Sequence, residues 1–137
     1  PLVSNWLREF QLWAPEVPLA VIEGDQTKRA WQWQLAGVPV KIANYEILNR
    51  DREIIAQPGL HFDLVVLDEL TYMIAYKYLN EAMILEALHA RPVNQSVVVT
   101  GRGGGTALQN FMDTVSEVKD IKHAYKAGIK ARKGVDF

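Results

Sequence analysis

Apolar and polar positions alternate in blocks along the chain, and the blocks predict helices and strands in turn. Over 4–14, Trp6, Leu7, Phe10 and Trp13 recur at helical spacing, with Ser4 as a cap and Pro15 as a stop. A strand is expected over 19–23, closed by Gly24-Asp25, and then a helix over 27–36 ended by Gly37. In that helix Trp31 and Leu35 are four apart and are expected to face a sheet, which leaves Trp33 on a partly exposed side. A strand over 38–43 opens with Pro39 at its start, where a missing N–H costs little. Asn44 then caps a helix striped by Ile47, Leu48, Ile54 and Ile55, and Pro58-Gly59 ends it.

Phe62-Asp63-Leu64-Val65-Val66-Leu67-Asp68-Glu69 is the stretch around which the rest is organised. Leu64 to Leu67 is too short for a helix core, and its unbroken apolar run predicts a strand buried on both faces of a parallel sheet. Beyond it the rhythm repeats. A helix is expected over 70–78, with Tyr72, Met73 and Tyr76 on one face, and another from about 80 to 90 carrying Ile84, Leu85 and Leu88. A strand over 96–100 leads through Gly101-Arg102-Gly103-Gly104-Gly105 into a helix over 106–114, and a last strand is expected over 115–121. This succession predicts one α/β domain over 1–137. Its expected form is a three-layer α/β/α sandwich on a five-stranded, mainly parallel sheet, with Leu64–Leu67 central and Val66 in the core.

Composition narrows the class without naming a chemistry. At 137 residues, 49% hydrophobic and 23% charged, the chain has ordinary globular values. A net charge of -1 predicts no general attraction to nucleic acid or anionic membrane, although Lys119, Lys122, Lys126, Lys130, Arg132 and Lys133 cluster late. Without cysteine there is neither a disulfide framework nor a thiolate metal site, which fits a cytoplasmic protein. No apolar run reaches the ~20 residues of a membrane span. Pro1 fits an initiator methionine removed before a small residue.

Two places carry candidate chemistry. Asp68 and Glu69 stand at the carboxyl end of the expected central strand, where open α/β sheets place ligands. That is the form of a Walker B strand, whose acids hold Mg²⁺ directly or through water, so the pair is the candidate metal site. Gly101, Arg102, Gly103 and Gly105 follow a strand and open a helix, where free N–H groups favour anions and Arg102 could add a charge-assisted contact. They form a weak candidate cofactor site: the G-x-G-x-x-G spacing fails at Thr106, and a relaxed turn explains the same residues. His61, His89 and His123 show no metal-ligand spacing. No catalytic residue is assigned.

Residues 69–137 resemble the carboxyl-terminal half of the ATP:corrinoid adenosyltransferases. The resemblance rests on Asp68-Glu69-Leu70-Thr71-Tyr72-Met73-Ile74, Glu86-Ala87-Leu88 with Arg91-Pro92, Thr100-Gly101-Arg102, Val115-Ser116-Glu117, Ile121-Lys122-His123-Ala124-Tyr125 and Lys133-Gly134-Val135. It implies a P-loop-NTPase-like fold, and a Lys122-His123 pair near a corrinoid site. It departs at Gly103-Gly104-Gly105-Thr106 and Asn110-Phe111-Met112. Residues 1–68 resemble part of the first motor lobe of chromatin-remodelling-type superfamily-two helicases. There the resemblance rests on Ser4-Asn5-Trp6, Glu9-Phe10, Trp13-Ala14-Pro15, Ile42-Ala43-Asn44-Tyr45-Glu46 and Leu67-Asp68-Glu69. Both families are P-loop NTPases, and the two resemblances meet on the strand they share.

No G-x-x-x-x-G-K-[ST] loop occurs in the sequence, so the cradle for the β- and γ-phosphates is not among these residues. Taken with the seam, this favours an engineered or chimeric scaffold without evolved activity. Such a scaffold requires no cofactor and at most weak Mg–ATP binding. It also requires no partner, membrane or nucleic acid, and would be a monomer or weak homodimer. Two alternatives stay open: an ATP- and Mg-binding corrinoid adenosyltransferase remnant, and a nucleic-acid-binding helicase fragment.

Overall fold

The computed structural model describes residues 2–131. Pro1, Arg132, Lys133, Gly134 and the Lys133-Gly134-Val135 motif lie outside the described residues. The chain divides into two compact units, Pro1–Phe62 and Asp63–Phe137.

The first unit runs α1 (Leu2–Trp13), β1 (Leu19–Val21), α2 (Gln26–Gln34), β2 (Val40–Ile42), α3 (Tyr45–Arg50) and α4 (Arg52–Ile55). β1 and β2 pair in parallel, with Leu19 opposite Val40 and Val21 opposite Ile42, and the ladder continues as Ile22 N–H donates to Ile42 O at 2.8 Å. Asp25 caps α2 by accepting from Lys28 N–H at 2.8 Å, and Asn44 caps α3 by accepting from Ile47 N–H at 2.8 Å. The expected single helix after Asn44 is broken at Asp51, which joins α3 to α4.

Asp51 explains the break. Its side chain is fully buried and accepts from Arg29 Nε at 2.9 Å, Arg29 Nη2 at 2.8 Å and Trp33 Nε1 at 2.9 Å. Arg29 Nη1 donates to Gly24 O at 2.7 Å. A buried ion pair survives only when its remaining donors and acceptors are filled, and here they are. The Arg29 guanidinium holds the Asp51 carboxyl below its usual range, with help from Trp33 and against the opposing effect of burial. The same helix ties itself to β1 through Gln32, which donates to Val21 O at 3.0 Å and accepts from Glu23 N–H at 2.9 Å. A side-chain amide thus does the work of a third strand at that edge. These ties turn α2 so that Trp33 is 3% exposed and Trp31 61%, the reverse of the expectation from spacing.

The second unit runs β3 (Leu64–Leu67), α5 (Leu70–Ala75), α6 (Glu81–His89), β4 (Ser96–Val99), α7 (Thr106–Phe111) and a 3₁₀ turn at Ala124–Ala127. β3 and β4 pair in parallel, with Leu64 opposite Ser96 and Leu67 opposite Val99. Leu70, Ile84, Leu88 and Leu108, one or two from each of α5, α6 and α7, form the core of this unit.

Three expectations fail here. The sheet is not five-stranded: two two-stranded parallel sheets are present among the described residues. The β3 run is not buried on both faces, because Val65 and Leu67 are half-buried while Leu64 and Val66 are 55% and 44% exposed. Val66 is therefore not a core residue. Finally, 115–121 forms no strand. Its apolar residues Val115, Val118 and Ile121 recur every third position, which a pleat of period two throws onto alternate faces, and all three are exposed.

Candidate active site at the strand ends of the second unit

Because β3 and β4 run parallel and in register, their carboxyl ends finish side by side. That brings Asp68 and Glu69, after β3, to Thr100 and the glycine loop, after β4. Thr100 N–H continues the ladder to Leu67 O at 3.1 Å. Its hydroxyl accepts from Glu69 N–H at 2.9 Å and donates to Asp68 Oδ1 at 2.6 Å. One threonine therefore fixes the backbone of one acid and the side chain of the other.

Glu69 pays for its position in backbone strain. It sits at φ 57°, ψ 25°, a left-handed conformation that costs a residue with a Cβ about 1–2 kcal/mol. The Thr100 bond and the start of α5 hold it there. Its Oε2 is buried and has no hydrogen-bond partner. A buried acceptor left unmade costs about 1–3 kcal/mol, so two unfavourable features coincide on one residue.

The glycine loop is fitted closely against α5. Thr71 is buried, and its hydroxyl donates to Arg102 O at 3.0 Å. Gly101 has φ +146°, and a Cβ there would overlap the Thr71 hydroxyl; a Cβ on Gly104 would stand 3.1 Å from Thr71 Cγ2. Close approach and a positive φ require glycine at 101, while at 104 a side chain would press tightly on Thr71. At the far end Glu81, on the first turn of α6, brings Oε1 to 2.9 Å from where a Gly105 Cβ would lie, and that oxygen too is buried without a partner.

Each predicted site residue can now be placed. Asp68 and Glu69 are together and joined through Thr100. Gly101 and Arg102 are beside them, with the Arg102 carbonyl engaged and its residue exposed. Gly103 and Gly105 are joined by a bond from Gly105 N–H to Gly103 O at 2.6 Å, so this N–H is directed within the loop. α7, which follows, has only six residues. Among the described residues no group of three or more His, Cys, Asp or Glu could hold a metal ion. His123 is remote in role: its Nδ1 accepts from Tyr125 N–H at 3.1 Å and caps the 3₁₀ turn. Two lysines of the late basic cluster face carboxylates, Lys126 to Asp120 at 2.6 Å and Lys119 to Glu117 at 3.2 Å.

Thr71 and Thr100 stand in the motifs of the adenosyltransferase resemblance but carry no site role there, and Glu81 is not singled out by the sequence. A hydroxyl directly after an apolar β-run was the signal available for Thr100, since only there can it reach the neighbouring strand's end. Glu81 reads as an ordinary first-turn acid, and nothing local distinguishes it.

Paired acids and a close-fitted glycine loop stand at adjacent parallel strand ends, the position at which open α/β sheets bind ligands. The sequence model of the ATP:corrinoid adenosyltransferase BtuR/CobO/CobP family matches residues 19–137, and the chain belongs to that family. Corrinoid adenosyltransferase CobA of Salmonella typhimurium is 49% identical over 86 residues, covering 63% of this chain and 43% of its own length. The corrinoid adenosyltransferase of Escherichia coli K12 is 44% identical over 92 residues, 67% of this chain and 46% of its own. The chain thus spans less than half the length of these curated relatives. The ISWI chromatin-remodeling complex ATPase ISW1 of Saccharomyces cerevisiae is 31% identical over 113 residues, 79% of this chain and 9% of its own.

These matches correct the sequence reading in two respects. The expectation that no cofactor is needed is overturned, because the family is described by a reaction on ATP and a corrinoid. The family match also begins at Leu19, far upstream of the seam expected at 68 and 69, so membership favours an adenosyltransferase domain over an unevolved scaffold. No helix among the described residues is long and apolar enough to cross a membrane.

Proposed function

We propose that this chain provides the strand-end portion of an ATP:corrinoid adenosyltransferase site, with Asp68 and Glu69 holding the divalent metal of a metal–ATP complex. The observation that carries the reading is the Asp68–Thr100–Glu69 linkage, which fixes two acids at one strand end while leaving Glu69 Oε2 buried and unpartnered. That oxygen fits a cation. Two carboxylates without a third acidic ligand also suit Mg²⁺, which commonly keeps waters and takes phosphate oxygens for its remaining positions. When bound, the metal would offset the charge of the phosphate chain that is left behind as the adenosyl group moves to the corrinoid.

The protein's own residues have separate tasks. Thr100 orients Asp68 and holds the Glu69 backbone in its strained form. Thr71 and the glycines keep the 101–105 loop tight on α5, and Arg102 supplies a cation within that loop. Calorimetric titration with ATP and Mg²⁺ tests this. A charge-assisted contact is worth about 1.5–3 kcal/mol, so Glu69→Gln should weaken metal–ATP binding by roughly tenfold to a hundredfold. Equal affinities for the parent and Glu69→Gln would contradict the proposal.

A second reading is favoured by the match to the Saccharomyces remodelling ATPase. In it the chain is a nucleic-acid-binding relative of a motor lobe over the 79% that the match covers, a stretch too long to stop at β3. Such a fragment would bind duplex DNA, which fluorescence anisotropy reads directly.

A further inference from the structure

α5 ends earlier than its sequence predicts, and the way it ends builds a surface. The helix stops at Ala75, and Lys77 takes a left-handed conformation at φ 59°. Tyr78 N–H and Leu79 N–H then both donate to Met73 O, at 2.9 and 3.0 Å, folding the chain back over its last turn. This turn carries Tyr78 back beside Tyr76. The Tyr72 and Tyr76 rings stack at 5.9 Å with 11° between their planes, and Tyr76 and Tyr78 meet at 6.2 Å and 50°. Tyr76 is 66% exposed and Tyr78 74%. Three tyrosines in seven residues therefore form a ladder whose outer rings face solvent, and a strained residue holds the last rung.

We propose that the Tyr72–Tyr76–Tyr78 ladder is the platform on which the adenine of the bound nucleotide stacks; this rests on the reading that the metal–phosphate end lies at Asp68 and Glu69. Tyr72 stands on the first turn of α5, its N–H donating to Glu69 O at 3.1 Å, so the ladder's helix begins at that site. From Glu69 to Tyr76 the helix rises on the order of 10 Å, a length comparable with an extended nucleoside triphosphate. Adenine is flat and aromatic on both faces, so it suits an exposed phenol ring. A corrin is saturated around its rim, puckered and edged with amides, and suits such a ring poorly. Lys77, between the two exposed rings, also lines an open hollow of about 380 Å³ with Ile74, Leu79, Asn80 and Glu81. Its donors and acceptors can meet the edge of a base.

The test separates the base from the phosphates. Stacking one base on an aromatic side chain corresponds to about tenfold to a hundredfold in affinity. Calorimetry should find ATP–Mg²⁺ bound at least about tenfold more tightly than tripolyphosphate–Mg²⁺. The double variant Tyr76→Ala with Tyr78→Ala should abolish that difference and leave tripolyphosphate affinity unchanged. Adenosine alone should shift the ring resonances of Tyr76 and Tyr78 in the parent. Equal affinities for ATP and tripolyphosphate, or adenosine that leaves the tyrosine resonances in place, overturns the platform. If tripolyphosphate–Mg²⁺ does not bind while adenosine still shifts the rings, the metal site fails and the platform stands.

Discussion

The two units treat buried polar groups in opposite ways. In the first, Asp51 is 1% exposed, yet three donors reach its carboxylate, and Arg29 and Gln32 are similarly satisfied. In the second, Glu69 and Glu81 each keep a buried oxygen with no partner, and Glu69 is strained as well. A filled network stabilises a fold, whereas an unfilled one is a cost kept for another reason. The contrast fits an architectural role for the Arg29–Asp51 network and supports the proposal that chemistry lies at the strand ends of β3 and β4.

The strongest challenge to the contrast is to empty the filled network. Asp51→Ala leaves a buried guanidinium without its counter-charge and should destabilise the first unit by about 3–5 kcal/mol in urea unfolding. Replacing both partners, Arg29→Met with Asp51→Leu, should recover most of that loss. If the double variant is as unstable as the single one, packing rather than charge pairing explains the site. In the second unit apolar burial should dominate instead. Leu88→Ala, at a residue 7% exposed, should cost about 2–4 kcal/mol. Val66→Ala, at 44% exposure, should cost about 1 kcal/mol or less, and a larger loss would mean that a further layer covers β3.

Acid sharpens the same comparison. The folded Asp51 carboxyl titrates below its ordinary value, chiefly because of its bonds to Arg29. Its contribution is therefore present above the ordinary aspartate range near pH 4 and is lost as pH falls through the lower folded value. Tryptophan fluorescence of Trp33 should report loosening of the first unit below about pH 4, and Asp51→Asn should remove that pH dependence. Smallest of all should be Glu69→Gln in the absence of ligand. It neutralises a carboxylate that has an unpaired oxygen, so thermal stability should hold or rise slightly, while metal–ATP affinity falls.

Local features were legible in the sequence because they depend on neighbours in the chain. The cap at Asn44, the strands at 64–67 and 96–99, and the acid pair and glycine loop after them all appear where the residue pattern puts them. What the pattern does not carry is pairing across distance. Arg29 and Asp51 are 22 residues apart and Thr100 and Asp68 are 32 apart, and no periodicity links either pair. The Trp31 and Trp33 faces were reversed for the same reason: Gln32 and Arg29 lock the helix rotation through remote partners, overriding its apolar spacing. The four-residue run of β3 suggested burial on both faces, but a run that short cannot report how many layers cover it.

The central claim is that ligand chemistry resides at the β3 and β4 strand ends and not in the buried network of the first unit. Backbone amide shifts during titration with ATP and Mg²⁺ test it most directly. The account predicts the largest shifts at 68–72 and 100–105, abolished by Asp68→Asn, with Arg29, Trp33 and Asp51 unmoved. Shifts centred on the Arg29–Asp51 network, or a titration that survives Asp68→Asn unchanged, would contradict it.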